Sequence, residues 1–173
     1  MLQRDVQHQT RAEVMMTLLQ PITNFEYELA FEIYERYMKQ VIGEAFGWED
    51  GFQRDGFNAN LRPEWFSWVI SSGEKVGLVC GRLKDTSLHI HLLIVFEKFQ
   101  RQGYAASIAS ALHVKASKQG LDLTLSCLKN NNPAMSLYTG LGFVASSEDE
   151  YFYNLIGPKE LPQYNLNLCL TLP

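Results

Sequence analysis

The chain alternates short apolar runs with stretches in which apolar residues recur at helical spacing. Runs of strand length, bounded by turn-forming residues, occur at Thr17 to Ile22, Trp65 to Ile70, Val76 to Leu83, Leu88 to Phe96 and Leu121 to Leu128. Helical spacing between Phe25 and Ala45 predicts a long amphipathic helix. A second helical pattern follows Ala105 and ends at Lys118, just before Gly120.

The order of these elements predicts an α/β fold built on one sheet. The polar cluster from Ser71 to Lys75 is a turn, so the strands on either side of it and the run starting at Leu88 form an antiparallel meander. The next helix is a crossover, which makes its two flanking strands parallel and the connection right-handed. After a polar turn at Ser146 to Glu150, Tyr151 to Ile156 pairs with Phe143 to Ala145 as a final hairpin.

The stretch from Phe46 to Pro63 is rich in aromatic residues, acids and glycines. Glycines at positions 47, 51 and 56 disfavour a continuous helix, so we expect a short helix among loops. Two interpretations of its side chains are open. Aromatic rings beside carboxylates suit an amine, through charge attraction and cation–π contact. Alternatively the rings pack on the core and the acids are solvated, which is the more common arrangement.

Composition narrows the classes of partner. A chain of 173 residues with 46% hydrophobic and 20% charged residues suits one globular domain, and its net charge of −4 disfavours nucleic acid. No apolar run approaches the roughly 20 residues of a membrane span, and Met1 to Glu13 lacks an apolar signal core. Cys80, Cys127 and Cys169 are too few and too widely spaced for a disulfide framework. We therefore expect a cytoplasmic protein without a membrane partner.

The turn between the strand at Leu88 and the crossover helix carries candidate chemistry. It reads Gln100-Arg101-Gln102-Gly103-Tyr104-Ala105. Gly103 lets a ligand approach the backbone, and the helix that starts here offers free N–H groups and a positive dipole end to a phosphate. Arg101 adds a charge for phosphate oxygens. Taken alone, the pattern fits an ordinary strand-to-helix turn equally well.

A second motif lies beyond the next strand: Asn131, Ala134, Leu137, Tyr138, Gly142 and Phe143, in N-x-x-A-x-x-L-Y-x-x-x-G-F spacing. With Gln100, Gly103 and Ala105 of the turn, it resembles the GNAT superfamily of acetyl-CoA-dependent N-acetyltransferases. The resemblance implies a mixed, mostly antiparallel sheet of about seven strands, with a βαβ cofactor-binding unit and helices on both faces. It also implies a GNAT domain at residues 15–157, after a polar extension at 1–14 and before a tail at 158–173.

The resemblance further implies where acetyl-CoA lies. The pyrophosphate would rest on the backbone of the turn and the helix start, at Gln100, Arg101, Gln102, Gly103, Tyr104, Ala105 and Ala106. The pantetheine arm would run along Leu93, Ile94 and Val95, where the fourth and fifth strands splay apart. Asn131 would hydrogen-bond the cofactor, whereas Asn132 is better explained as a helix N-cap with Pro133 at the first helical position.

Catalytic roles follow from the same resemblance. Tyr138 matches a tyrosine that lies near the CoA sulfur and protonates the leaving thiolate. Many relatives place a glutamate base on the fourth or fifth strand; His89 falls at the fourth-strand position, and Ser126 at the other cannot serve. His89 shares a strand face with His91, and an ordinary surface histidine is an equally good interpretation. Cys127 alternates with leucines and is expected to be a core thiol.

We therefore predict an acyltransferase that moves an acetyl group from acetyl-CoA, without a metal, to a primary amine of a small molecule or peptide. Two alternatives remain: a GNAT-fold module that binds CoA or acyl-CoA without turnover, and an α/β domain with another phosphate ligand. Protein N-termini, lysine side chains, polyamines, aminoglycosides and amino acids are all open as acceptors. The tail, with its apolar end at Leu166 to Leu172, is a packing arm, an added strand or a homodimer contact.

Overall fold

The computed structural model describes residues 17–160, which form seven strands and four helices of more than one turn. In chain order these are β1 (Thr17–Pro21), α1 (Tyr27–Phe46), α2 (Asp50–Asn60), β2 (Phe66–Ser71), β3 (Glu74–Lys84), β4 (Ser87–Val95), α3 (Tyr104–Lys118), β5 (Asp122–Leu128), α4 (Asn132–Gly140), β6 (Val144–Glu148) and β7 (Phe152–Ile156). The predicted extension at residues 1–14, the tail at Leu166 to Leu172 and Cys169 lie outside the described residues.

The strands form one mixed sheet in the order β1-β2-β3-β4-β5-β7-β6. The meander of β2, β3 and β4 is antiparallel, as predicted, and β4 and β5 on either side of α3 are parallel. The hairpin of β6 and β7 is also confirmed, with β7 inserted between β5 and β6. The predicted mixed, mostly antiparallel sheet is therefore confirmed.

The segment after α1 differs from expectation. Gly47 ends α1 with a φ of +89°, as a glycine at a helix end often does, but α2 then continues through Gly51 and Gly56 for 11 residues. Its start is stabilised by Glu49, whose carboxylate accepts hydrogen bonds from two backbone N–H groups of the first turn. Its inner face carries Phe57, which is buried. Capping and aromatic burial thus outweigh the low helix propensity of the two glycines.

The two faces of the sheet carry separate cores. One core packs α3 against the sheet through Ile108 and Leu112; the other packs α1 and α2 against it through Phe31 and Phe57. A β-bulge in β4 determines which of its residues face each core. Cys80 of β3 pairs with Leu92 and Gly81 pairs with Ile90, so His91 has no opposite residue. The extra residue changes which positions of β4 face which core. Residues Leu88 and Ile90 face the α3 side, whereas Leu92 and Ile94 face α1 and α2.

Close packing of β3 on β4 requires a glycine at position 77. A Cβ on Gly77 would fall well inside van der Waals contact of the Ile94 carbonyl oxygen in the neighbouring strand. Because backbone atoms of a central strand cannot give way as a flexible side chain does, this position tolerates no side chain without distortion of β4.

We expect Gly77→Ala to lower the free energy of unfolding by about 1–3 kcal/mol, since the new methyl group forces β3 and β4 apart. Gly56→Ala is the matched control: it lies inside α2 with no atom within 4 Å of the added Cβ. It should raise stability by about 0.5–1 kcal/mol. Urea denaturation followed by circular dichroism measures both, and equal effects from the two substitutions would contradict the packing argument.

Candidate functional site

A cleft opens through the sheet where β4 and β5 part. The two strands pair only from Ser87 to Ile90 on β4 and from Asp122 to Leu125 on β5, although both continue for several more residues. The cleft has a volume of about 350 Å³. It reaches from Tyr138 of α4 on one face of the sheet to Tyr34 and Phe57 of α1 and α2 on the other.

The part of β4 beyond the last pair presents free backbone groups to this cleft. The Phe96 N–H donates to the Val76 carbonyl on the β3 side (2.9 Å), so by alternation the amide groups of Leu93 and Val95 point the other way, toward β5. Gln100 donates from Nε2 to the Val95 carbonyl at 2.9 Å, which fixes the end of the strand. Of the three predicted pantetheine positions, Leu93 lines the cleft; the backbone groups of Leu93 and Val95 point toward β5, whereas those of Ile94 face β3.

The turn after β4 has a conformation that requires its glycine. Gly103 has a φ of +87° and Arg101 a φ of +62°, both in the left-handed region. The first bond within α3 runs from the Ser107 N–H to the Gly103 carbonyl at 3.0 Å, and no side chain caps this end. The N–H groups of residues 104–106 are therefore the orphan donors of the helix. The turn and helix start predicted to hold a diphosphate have the geometry for it.

Tyr138 lies inside the α3-side core, with its ring 5.5 Å from that of Phe143, yet it also lines the cleft. Among residues 17–160 its hydroxyl has no hydrogen-bond partner. Burial, and in second place the neighbouring Cys127 thiol, raise the pKa of Tyr138 above its usual range. The phenol therefore stays protonated at physiological pH and has a free O–H to donate into the cleft.

Asn131 also lines the cleft, beside Tyr138. It is the N-cap of α4, because its Oδ1 accepts from the Ala134 N–H at 3.3 Å. The prediction that Asn132 is the cap, with Pro133 at the first helical position, was therefore wrong by one residue. The cap occupies the carboxamide oxygen of Asn131 and leaves the carboxamide NH₂ to donate.

The two histidines of β4 occupy different positions relative to the cleft. His89 lies where β4 and β5 are still paired, and its Nδ1 is 2.9 Å from Thr124 Oγ1. His91, the bulge residue, lines the cleft, and its Nε2 is buried without a hydrogen-bond partner in the described chain. The rings are in contact, with centroids 4.7 Å apart, so the predicted shared face is confirmed. The structure thus brings His91, rather than His89, to the cleft wall.

The electrostatics of the pair keep both rings neutral. Burial, followed by His91 and two nearby cations, Lys84 and Arg82, lowers the pKa of His89 to about 4. Burial and the same cations also lower the pKa of His91. Each imidazole therefore keeps one nitrogen lone pair near neutral pH.

Helix α1 spans the open end of the cleft and ties its two walls together. The Tyr37 hydroxyl accepts from the Glu97 N–H just after β4 (2.9 Å). Four residues later, the Val41 carbonyl accepts from Asn130 Nδ2 just after β5, also at 2.9 Å. One turn of helix thus holds β4 and β5 at a set separation where strand pairing has ended.

The acids near α2 do not line the cleft. Asp50 accepts from Lys39 Nζ (3.1 Å) and Trp48 Nε1 (2.7 Å) on the outer surface, and Glu49 caps α2. Phe57, in contrast, packs in the core, which agrees with the interpretation that the aromatic rings of this segment are structural.

The remaining candidates are accounted for by packing. Burial raises the pKa of Cys80 above its usual range and that of Cys127 to about 11, so both are core thiols. His113 is buried against Phe143. Within the described range no group of three or more His, Cys, Asp or Glu is arranged to hold a metal ion. No helix of residues 17–160 is long and apolar enough to cross a membrane.

Sequence reasoning missed His91 as a cleft residue, and it missed the α1 and α2 side chains Tyr34 and Gln53. The bulge that turns His91 toward the cleft leaves no mark in the apolar pattern of β4, since both faces of that strand are buried. The clearest indication of His91 in the sequence was that it alternates with His89 along β4, so that the two share a strand face.

Comparison with known proteins agrees with this geometry. Residues 69–152 match the family model of the FR47-like protein family. The chain finds no match among curated proteins. Among solved structures, it is similar to the PaiA N-acetyltransferase of Thermoplasma acidophilum in complex with coenzyme A, with a TM-score of 0.64 and 11% identity, covering 83% of this chain and 99% of that one.

Two further similar structures have names that specify an acceptor. The ribosomal-protein-S18-alanine N-acetyltransferase of Escherichia coli has a TM-score of 0.61 and 19% identity, covering 87% of this chain and 99% of that one. Naa50 of Arabidopsis thaliana, in complex with the bisubstrate analogue CoA-Ac-MVNAL, has a TM-score of 0.56 and 16% identity, covering 82% and 98%. The shared fold shows that the chain has the mixed α/β fold of the GNAT acetyltransferases, and the family-model match over residues 69–152 supports assignment to that superfamily.

Proposed function

We propose that the protein transfers an acetyl group from acetyl-CoA to a primary amine in a ternary complex. The observation that carries the proposal is the cleft itself. It crosses the sheet between β4 and β5, with a free phenol at Tyr138 on one face and an imidazole at His91 on the other. A thioester and an amine that meet in this cleft would have a proton donor and a proton acceptor on opposite sides.

The comparisons support the same chemistry. The PaiA structure contains coenzyme A, and the Naa50 structure contains an analogue that joins CoA to a peptide through an acetyl group. The names of PaiA and of the S18-alanine enzyme both include N-acetyltransferase. At these identities the similarity establishes the fold, so the activity of this chain rests on its own residues.

The residues present suit acetyl-CoA. The orphan N–H groups at the start of α3, with Arg101 beside them, would hold the diphosphate. The unpaired edge of β4 at Leu93 and Val95 would receive the amide groups of the pantetheine arm, as an added strand would. The free amide nitrogen of Asn131 would donate to a carbonyl of the same arm.

The reaction balances with one proton removed and one supplied. The amine lone pair attacks the thioester carbonyl, a C–N bond forms, the C–S bond breaks, and the nitrogen loses one proton while the CoA thiolate gains one. A thiolate with a pKa near ~8.5 is a moderate leaving group. Tyr138 donates its O–H to the sulfur as negative charge develops there, and its raised pKa keeps the proton available.

The amine proton goes to the histidine side of the cleft. His91 lines the cleft, and its buried Nε2 has no partner among residues 17–160; the ring of His89, held by Thr124, packs against the His91 ring. Because burial keeps both imidazoles neutral, His91 accepts the proton as the C–N bond forms and the nitrogen becomes acidic. His89, which the resemblance placed at the position of the base, would then hold the ring of His91 and not itself take the proton.

The phosphate site is tested by two glycine variants with the same backbone strain. Gly103→Ala and Gly120→Ala each place a methyl group at a positive φ with open space around it, at opposite ends of α3. Each should lose about 1–2 kcal/mol of stability. We expect only Gly103→Ala to weaken CoA binding, by at least about tenfold, in isothermal titration calorimetry. Unchanged affinity in Gly103→Ala would refute the diphosphate assignment.

The proton donor is tested by Tyr138→Phe. We expect kcat to fall by about 10² with KM for acetyl-CoA little changed, because only the charge that develops on sulfur is affected. Stability should be unchanged, since the hydroxyl makes no hydrogen bond within residues 17–160. The rate of CoA release by the wild type and by the variant, measured against acetyl-CoA concentration, gives both kcat and KM. If CoA bound tightly and no amine caused its release, the chain would instead be a binding module.

The proton acceptor is tested by pH dependence. Because burial lowers the pKa of both imidazoles, log kcat/KM should rise with the fraction of free amine, and any limb from the imidazoles should lie below pH 6.5. His91→Gln should lower kcat/KM by about 10–100-fold, and His89→Gln by less. A larger loss in His89→Gln would assign the base to His89 directly.

The lowered pKa of His89 also makes the stability of the fold depend on pH. A lowered pKa means that the folded protein binds fewer protons than the unfolded chain between about pH 6.5 and about pH 4, so stability falls as pH falls through this window. In His89→Gln, urea denaturation should show a weaker loss of stability over that window than in the wild type.

A further inference from the structure

Among residues 17–160, the side chains that line the acceptor side of the cleft carry no formal charge. None of the described residues that line the cleft is Asp, Glu, Lys or Arg. On the face of α1 and α2 the lining is aromatic and aliphatic, with a few neutral polar groups: Tyr34, Met38, Ile42, Gln53, Phe57, Asn60 and Leu61. Such a wall recognises apolar surface rather than charge.

Polar groups in this wall are engaged in hydrogen bonds within the protein and are not free to bind a cation. Tyr34 donates its hydroxyl to Gln53 Oε1 at 2.9 Å, and burial raises the pKa of Tyr34 to about 12, so the phenol stays neutral. The nearest helix acids are engaged on the outer surface: Asp50 with Lys39, and Glu28 with Arg54 at 2.8 Å. The buried Nε2 of His91 has no hydrogen-bond partner among residues 17–160, so none of the described polar groups occupies it.

One rim of the cleft is closed by aromatic contact. Phe46, at the end of α1, lies 5.0 Å from Tyr151 and 6.4 Å from Phe152, between ring centroids. Phe152 itself lines the cleft. Helix α1 and the turn between β6 and β7 are thereby joined, and an extended chain would have to part them to enter here.

Resting on the proposed acetyl transfer, we propose that the acceptor is a small monoamine whose amino group is carried on an apolar, preferably aromatic, body. The ring would pack against Tyr34 and Phe57 while the nitrogen reaches His91. A polyamine would have to place a second ammonium group against this uncharged wall, which loses hydration without a compensating partner. A peptide would bring several polar backbone groups into the same apolar space.

The test is a comparison of acceptors on the full-length protein at saturating acetyl-CoA, with thiol detection of released CoA. The three amines are phenethylamine, spermidine and a hexapeptide with a free N-terminal alanine. We expect kcat/KM for phenethylamine to exceed that for each of the others by about 100-fold or more, since burial of an unpaired polar or charged group costs several kcal/mol.

A charge placed in the lining supplies the matched test. Asn60 is exposed at the cleft wall near the end of α2, and Asn58 is exposed on the same helix without lining the cleft. Asn60→Asp should raise the ratio of spermidine to phenethylamine kcat/KM by about fivefold or more, through attraction of the second ammonium group. Asn58→Asp adds the same charge to the same helix and should leave that ratio within about twofold of the wild type.

The outcomes distinguish failure of the monoamine assignment from failure of the proposed acetyl transfer. Preference for spermidine or for the peptide, or equal ratio changes in the two variants, overturns the monoamine assignment and leaves acetyl transfer intact. Absence of CoA release with all three amines, together with absence of acetyl-CoA binding by calorimetry, overturns acetyl transfer and the assignment with it. Release of CoA with phenethylamine alone supports both.

Discussion

The site depends on one interruption of backbone hydrogen bonding. The ladder between β4 and β5 stops at the pair Ile90 and Leu125, although both strands continue. Unpaired strand edges inside a protein are costly unless something satisfies or protects them. Here the open edge lies over a cleft, with Gln100 bonded to the last carbonyl and α1 tied to both walls through Tyr37 and Val41. The edge of β4 beyond Ile90 is thereby left open to the cleft while the two walls stay fixed.

The β-bulge at His91 is the second backbone feature that shapes the cleft. By adding one residue to β4, it transfers Leu92 and Ile94 to the core beneath α1 and α2 and leaves the imidazole at the mouth of the gap. A single backbone irregularity therefore changes the facing of the strand and places the His91 side chain at the cleft. The left-handed residues of the following turn then start α3 with its N–H groups free.

Within residues 17–160, charged side chains lie on the surface and not in the lining of the cleft. The ion pairs around α1 and α2, such as Lys39 with Asp50, are exposed and contribute little to stability. These ion pairs act locally: the charge of a carboxylate that is paired with a surface lysine or arginine is largely neutralised, so it does not attract a cation into the cleft. Burial lowers the pKa of both histidines and raises that of the Tyr138 phenol, so all three groups lining or flanking the cleft are uncharged near neutral pH.

The amino-acid pattern was sufficient for the element order, the antiparallel meander, the parallel unit around α3 and the two motifs, because periodicity and turn chemistry are local properties of the chain. Local propensity misjudged α2, where a cap at Glu49 and burial of Phe57 outweigh two glycines. It also misplaced the cap of α4 by one residue. Which histidine meets the cleft, and that the nearby acids do not, depended on pairing register and side-chain packing between distant segments. These contacts form only when the sheet and its helices assemble, so no window of sequence contains them.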